Sequence, residues 1–194
     1  MPGTAGADDA ARPYHHGDLR RVLLEAAVAA VDEVGPAALS LRDLARRAGV
    51  SHAAPAHHFG DKAGLLTAVA TDGFRQLAAT LGDAYRATGS FLEVGVAYAR
   101  FAVTHRAHFE VMFRPELYRA HDPELAQARD AARSLLYPTA AEAAGGVGGD
   151  DLRAAVAAWS LVHGLVTLWL NGNLPPQLGD DPEQLVREVA RYLF

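Results

Sequence analysis

Nine histidines and eighteen lysine or arginine side chains, with no cysteine, are the groups in this 194-residue chain that could do chemistry. Without thiols, disulfides and thiolate metal sites are excluded, and nothing demands an oxidising compartment. The paired histidines His15-His16 and His57-His58 invite a metal reading, but neighbours on a helix point apart. His105 and His108, three apart, are better placed yet have no third ligand in the pattern, so no metal is expected. No Ser-His-Asp series, carboxylate pair or glycine-rich phosphate cradle can be assigned. The chain is therefore not expected to be an enzyme, and no cofactor is implied. What remains is basic and titratable chemistry suited to phosphates and base edges.

Those groups are unevenly spread. The formal charge is −5, which by itself argues against a nucleic-acid partner. Between Arg12 and Lys62, however, seven Lys/Arg face six Asp/Glu, and five of the nine histidines lie there. From Ala63 onward the balance is eleven to fifteen. The acid sits in the back of the molecule, leaving a near-neutral front with arginine-rich edges.

The elements that must position the front residues lie in Leu39 to Lys62, LSLRDLARRAGVSHAAPAHHFGDK. Ser40 is a favoured N-cap, Asp43 could return the bond as a capping box, and Leu39 with Leu44 would form a staple. Leu41, Leu44, Ala45 and Ala48 share one helical face, which turns Arg42, Arg46 and Arg47 outward. Arg46 and Arg47 fit a solvated face better than base readers. Gly49 falls where a helix end needs positive φ, and Val50 can plug the angle to the next helix. Ser51 is read as the cap of that second helix, about two turns long and ended by Phe59-Gly60. Asp61 then caps a third helix beginning at Lys62. One helix braces while the next is presented to a major groove, the geometry of a helix-turn-helix.

Around this unit the periodicity is helical throughout, with no alternating strand-like run: the expected fold class is all-α. Residues 1–13 read as a disordered arm with no apolar signal-peptide core. Residues 14–61 read as the helix-turn-helix domain, opened by a helix with Leu19, Val22, Leu23, Ala26, Ala30 and Val34 on one face and stopped at Gly35-Pro36. Residues 62–194 form a larger bundle, with helix starts at Lys62, Phe91, Asp122-Pro123 and Pro182, a break at Tyr137-Pro138, and a glycine loop through Gly145, Gly146, Gly148 and Gly149. A very apolar helix runs from Asp151 to Leu170, just short of the ~20 residues of a membrane span and without flanking positive charge. Burial on both sides, against its own core and a second copy, explains it better than a bilayer.

SLRDLARRAG followed by VSHAAPAHHFGDKAGLL resembles the DNA-binding segment of the tetracycline-repressor (TetR/AcrR) family of bacterial regulators, over roughly Gly17 to Val69. WSLVHGLVTLWLNG, Trp159 to Gly172, resembles the ligand-domain helix of a subgroup with a Trp-His-Gly motif. The resemblance implies a cytoplasmic, dimeric, all-helical regulator that represses transcription at a palindromic operator and releases the double-stranded DNA when a small, mostly apolar effector binds. Carried over by position, it implies DNA contacts from Arg42, Ser51, His52, Ala53, His57, His58 and Lys62. The family often has Leu-Tyr where this chain has Pro55-Ala56, so one phosphate anchor is missing or moved to His57. The implied pocket draws on Tyr98, Phe101, His105, Phe109, Met112, Phe113, Trp159 and His163. The dimer contact draws on Val162, Val166, Trp169, Leu185, Val189 and Tyr192, a four-helix interface from the last two helices. The alternative is a helical ligand- or partner-binding protein whose DNA-binding head has degenerated, motivated by Pro55, the absent tyrosine and the acidic charge.

Overall fold

A computed structural model describes residues 16–143 and 149–192, with side chains over 19–137 and 152–192. The expected arm (1–13), Tyr14, His15 and the glycines Gly145, Gly146 and Gly148 lie outside the described residues. The described chain is all-α: α1 (His16–Ala38), α2 (Leu41–Arg47), α3 (Ala54–Phe59), α4 (Lys62–Thr88), α5 (Phe91–Thr104), α6 (Arg106–Met112), α7 (Pro123–Ala143), α8 (Gly149–Leu170) and α9 (Pro182–Ala190). Short 3-10 turns cover Pro115–Leu117 and Pro176–Leu178. An N-terminal helix-turn-helix unit is joined to a C-terminal helical bundle through α4. One core runs unbroken from Leu23 in α1 through Leu65, Leu77 and Tyr98 to Val186 in α9.

Side-chain caps set most of the starts. Ser40, Asp61, Ser90 and Asp181 each accept a backbone N–H from the first turn they precede, and the Asp122 carboxylate accepts from Glu124 and Leu125. Gly35 breaks the end of α1 with φ 74°, and Gly89 closes α4 in the left-handed region. Helix α7 runs on through Pro138 to Ala143, so the expected break at Tyr137-Pro138 is absent. Val34, expected on the inner face of α1, is 49% exposed because it sits beside Gly35, where the helix kinks.

The 27-residue helix α4 is the shared wall, packing on α1 and α3 at one end and on α5, α6 and α7 along its length. All four of its threonines, Thr67, Thr71, Thr80 and Thr88, donate their hydroxyls to the carbonyl four residues back, at 2.7–2.9 Å. On α8 the stripe Ala155, Ala158, Val162 and Val166 is buried against the rest of the bundle, while Leu152, Val156 and Leu168 are exposed. Leu152–Leu170 is the one stretch among the described residues long and apolar enough to cross a bilayer, judged by length and composition.

Candidate functional site

The helix-turn-helix forms as its residues dictate, with two differences that change its chemistry. Ser40 Oγ accepts the Asp43 N–H at 3.1 Å, but Asp43 does not complete a capping box. Its carboxylate accepts from Arg47 Nε and Arg46 Nη2, each at 2.6 Å and each about one turn further on. Arg47 also holds Glu33 of α1 at 2.6 Å. The two guanidiniums, Arg47 first, keep the Asp43 carboxyl below the usual carboxylate range. Both arginines are thus paired within the head, Arg46 at an exposed site, and Arg42 is the exposed cation of α2 with no ion pair among the described residues.

The second difference is the start of α3. Gly49 turns the chain with φ 66°, as the glycine position requires. Ser51 does not cap α3: its carbonyl accepts the Ala54 N–H at 3.0 Å, and Ser51, His52 and Ala53 form an exposed turn ahead of the helix. Helix α3 begins at Ala54 with Ala53 as an N-cap that makes no side-chain bond. Pro55 consequently falls in the first turn, where no intrahelical donor is lost, and its ring is buried. The residue that looked like a liability is a helix starter. His57 is exposed; His58 is half-buried, its ring 5.5 Å from that of His57 and steeply inclined to it. Ala56 is exposed on the same short helix. Phe59 anchors α3 under the guanidinium of Arg20, 5.3 Å from its ring centre.

Lys62 does more than present a charge. Its Nζ donates to the Ala37 carbonyl at 2.6 Å, clipping the end of α1 to the start of α4. The Asp61 carboxylate accepts from Gly64 N–H at 2.8 Å and from Arg119 Nη2 at 3.1 Å, which together lower its pKa. Arg119 lies 58 residues further along the chain, in the segment after the Pro115–Leu117 turn. Its backbone N–H also donates to Thr67 Oγ1 of α4 at 3.0 Å. The neighbouring Tyr118 lines a cavity.

That cavity, of about 220 Å³, lies between α4, α6, α7 and α8. Of the expected residues, Tyr98, Met112, Phe113 and Trp159 line it. Phe109, Phe113 and His163 line an adjoining groove on the far side of the aromatic wall. Phe101 and His105 line neither: Phe101 is buried and stacks on His105 at 4.6 Å, and His105 faces an open cleft between α1 and α6. His105 and His108 go to separate partners, since His108 Nε2 bonds Asp72 Oδ2 at 3.0 Å and His105 Nδ1 bonds Thr104. Tyr98 O–H and His163 Nδ1 lie 2.8 Å apart. Burial pushes the Tyr98 phenol above its ordinary pKa and pulls His163 below its own, so the phenol donates and the neutral imidazole accepts.

Sequence reasoning missed the α7 side of the cavity, Arg129, Ala132, Arg133, Leu136 and Tyr137. The available signal was Arg129 itself, one position from the stripe Leu125, Ala128, Ala132 and Leu136, all buried. The expected dimer residues divide. Val162, Val166 and Leu185 are buried in the chain's own core at 9%, 1% and 2% exposure and do not face outward. Trp169 and Val189 are half-buried, and Tyr192 is 89% exposed. The outward face of α8 carries Val156, Gly164 and Leu168 instead.

Comparison with known proteins follows the same two-part organisation. The family described as "Bacterial regulatory proteins, tetR family" matches residues 23–69, and "Tetracyclin repressor-like, C-terminal domain" matches residues 91–193. The HTH-type transcriptional regulator BetI of Yersinia pestis (strain Pestoides F) is 38% identical over 91 residues, 47% of this chain and 44% of that protein. The match thus spans less than half the length of this curated relative. A protein of unknown function from Rhodococcus sp. RHA1 is 37% identical with TM-score 0.79, covering 94% of this chain and 97% of that one. The TetR family transcriptional regulator PfmR from Thermus thermophilus shares the fold at TM-score 0.66 and 22% identity, covering 88% of this chain and 96% of that one. With a C-terminal match over more than half its length and an N-terminal match over its helix-turn-helix, the chain belongs to the tetracycline-repressor (TetR) family of bacterial transcriptional regulators.

Proposed function

We propose that the chain is a cytoplasmic repressor that binds a palindromic operator as a homodimer and lets go when a small, mostly apolar molecule fills the cavity between α4 and α7. Residues 14–61 act as the DNA-binding domain and residues 62–194 as the effector and dimerisation domain, in the subgroup typified by the Trp-His-Gly helix. On the DNA side, Arg42, Ser51, His52, Ala53 and His57 supply exposed donors for phosphates and base edges, with His58 half-buried behind them and the half-buried Lys62, clipped to the Ala37 carbonyl, at their edge. On the dimer side, Val156, Gly164 and Leu168 of α8 and Tyr192 beyond α9 are the outward apolar surface that a partner would cover.

The observation that carries this reading is the Tyr118–Arg119 corner. Tyr118 is a wall of the cavity, and Arg119 grips α4 at Thr67 and at the Asp61 cap of its first turn. A ligand that displaces Tyr118 therefore pulls on the start of α4, where Lys62 stands. Ligand binding and DNA binding then favour different settings of one helix, which is a coupling free energy between two sites.

The test is binding of the purified protein to its own upstream DNA against a shuffled control, across salt. Selective binding with two chains per site is expected. Arg119→Ala should leave operator affinity within a few-fold while reducing the ligand's ability to release it. Equal, weak binding to both DNAs would refute the repressor reading and favour a degenerate head on a ligand-binding bundle. That second reading draws on Ala56 and on the self-neutralised Arg46 and Arg47.

A further inference from the structure

Two buried hydrogen-bond donors in the cavity have no acceptor among the described residues: Arg129 Nε of α7 and Trp159 Nε1 of α8. They come from different helices and line the same space. A guanidinium carries its charge at every working pH and only donates, and an indole N–H only donates. Native interiors rarely leave such groups without a partner. Trp159 lies close enough to the Tyr98 oxygen to oppose the rise in that phenol's pKa, but not in hydrogen-bonding geometry with it. The Tyr98 hydroxyl proton is already directed to His163.

The rest of the lining sharpens the chemistry. Phe74, Leu77, Met112, Phe113 and Leu136 make an apolar body. Arg133, exposed at the rim and paired with Asp130 at 3.8 Å, adds a second guanidinium, and among the described residues no carboxylate lines the cavity. A cationic ligand would meet the buried edge of the Arg129 guanidinium with no carboxylate in the lining to receive it. A neutral hydrocarbon would leave both donors unmet. An anion with an apolar body satisfies all of it, because a planar carboxylate matches the guanidinium fork and accepts the indole N–H with its other lone pairs. At about 220 Å³ the space is below the ~300–1,000 Å³ of drug-sized pockets, so the body is small.

We infer that this cavity recognises a small monocarboxylic acid with an aromatic or short aliphatic body, held at its carboxylate by Arg129 and Trp159. The inference rests on the reading of the cavity as the effector site.

The test is calorimetric titration of the full chain with three matched pairs of probes: 3-phenylpropanoate and octanoate, 3-phenylpropanol and octanol, 3-phenylpropylamine and octylamine. The acids should bind one per chain and at least tenfold more tightly than the alcohols, with the amines weakest. Arg129→Met should lower acid affinity about ten- to a hundredfold, the loss of a charge-assisted hydrogen bond, and leave alcohol affinity within threefold. Trp159→Phe keeps the ring and removes the donor, and should cost the acids several-fold. If Arg129→Met does not fold, the acid-to-alcohol ratio in the unaltered chain decides. Acids and alcohols binding alike would overturn the carboxylate assignment and leave the cavity as an effector site. No binding by any of the six would overturn both.

Discussion

Gly64→Ala tests whether the recognition helix hangs from α4 as closely as described. A Cβ built on Gly64 would lie 2.0 Å from the Phe59 carbonyl oxygen, 3.2 Å from its carbon and 3.4 Å from Arg119 Nη1. Carbon–oxygen contacts of this kind settle near about 3.3–3.6 Å, so the two backbones must part by roughly 1.3 Å or more. Phe59 is the last residue of α3, so the movement falls on that helix or on the first turn of α4. Alanine improves helix propensity by up to about 1 kcal/mol over glycine. Overpacking of a well-packed contact costs about 1–3 kcal/mol and more where backbone must move. Because the backbone must move, the cost exceeds that range before the propensity gain is taken off, and the net expectation is destabilisation by about 1–3 kcal/mol, a fall in Tm of roughly 2–12 °C for a chain of this size. Operator affinity should drop further than stability, because a folded protein with α3 displaced presents its donors out of register. Gly82→Ala is the control, since its Cβ would meet the far end of the exposed Arg86 side chain at 3.1 Å and Leu135 Cδ1 at an ordinary 3.7 Å, and it should be neutral or stabilising. Thermal denaturation and operator titration of the two variants decide the matter. A Gly64→Ala protein as stable as the parent, with unchanged operator binding, would refute the close α3–α4 contact.

Further outcomes follow from the same geometry. Lys62→Met should flatten the salt dependence of operator binding by about one unit per protomer, and an unchanged slope would remove Lys62 from the phosphate contacts. His163 has its pKa lowered from 6.5 by burial, so the unfolded chain binds its proton first as pH falls. Its share of stability is therefore present above pH 6.5 and lost as pH drops through the lower folded value. Denaturant melts of His163→Gln should show a flatter decline on the acid side of 6.5, and a decline parallel to the parent's would contradict this. Gly164 has open space where a Cβ would stand, on the outward face of α8. Gly164→Glu should keep full helix content while shifting sedimentation toward monomer; an unaltered dimer would place the interface elsewhere.

The helix ends are largely legible in the sequence because they depend on local chemistry. Ser40, Asp61 and Asp181 need only the residues one turn away, and Gly49 needs only its own freedom of φ. The misreadings involve competition or distance. Ser51 reads as a cap, but Pro55 fits best in a first turn, and the helix starts where the proline prefers. Asp43 reads as turning back on Ser40, yet two guanidiniums one turn further on claim it. An apolar helix such as α8 does not say which of its stripes meets its own bundle, so Val162 and Val166 read as outward and lie inward. The α7 wall of the cavity meets aromatic residues from distant parts of the chain, and no periodicity within either helix reveals that they face each other.

The threonines along α4 give the connecting helix a mechanical character. Each hydroxyl competes for a carbonyl of the ladder, and such bonds bend and soften a helix. From Phe74, beside the cavity, to Lys62 is twelve residues, about 18 Å of shaft. Thr67 and Thr71 lie within that span. A stiff rod would carry any push at one end undiminished to the other, and release would occur at a threshold. A compliant one stores part of the push as curvature, so the displacement reaching Lys62 grows smoothly with the bulk of what fills the cavity. Acids of increasing length should accordingly give graded rather than all-or-none release. Thr71→Val, which removes one competing hydroxyl, should steepen that gradation.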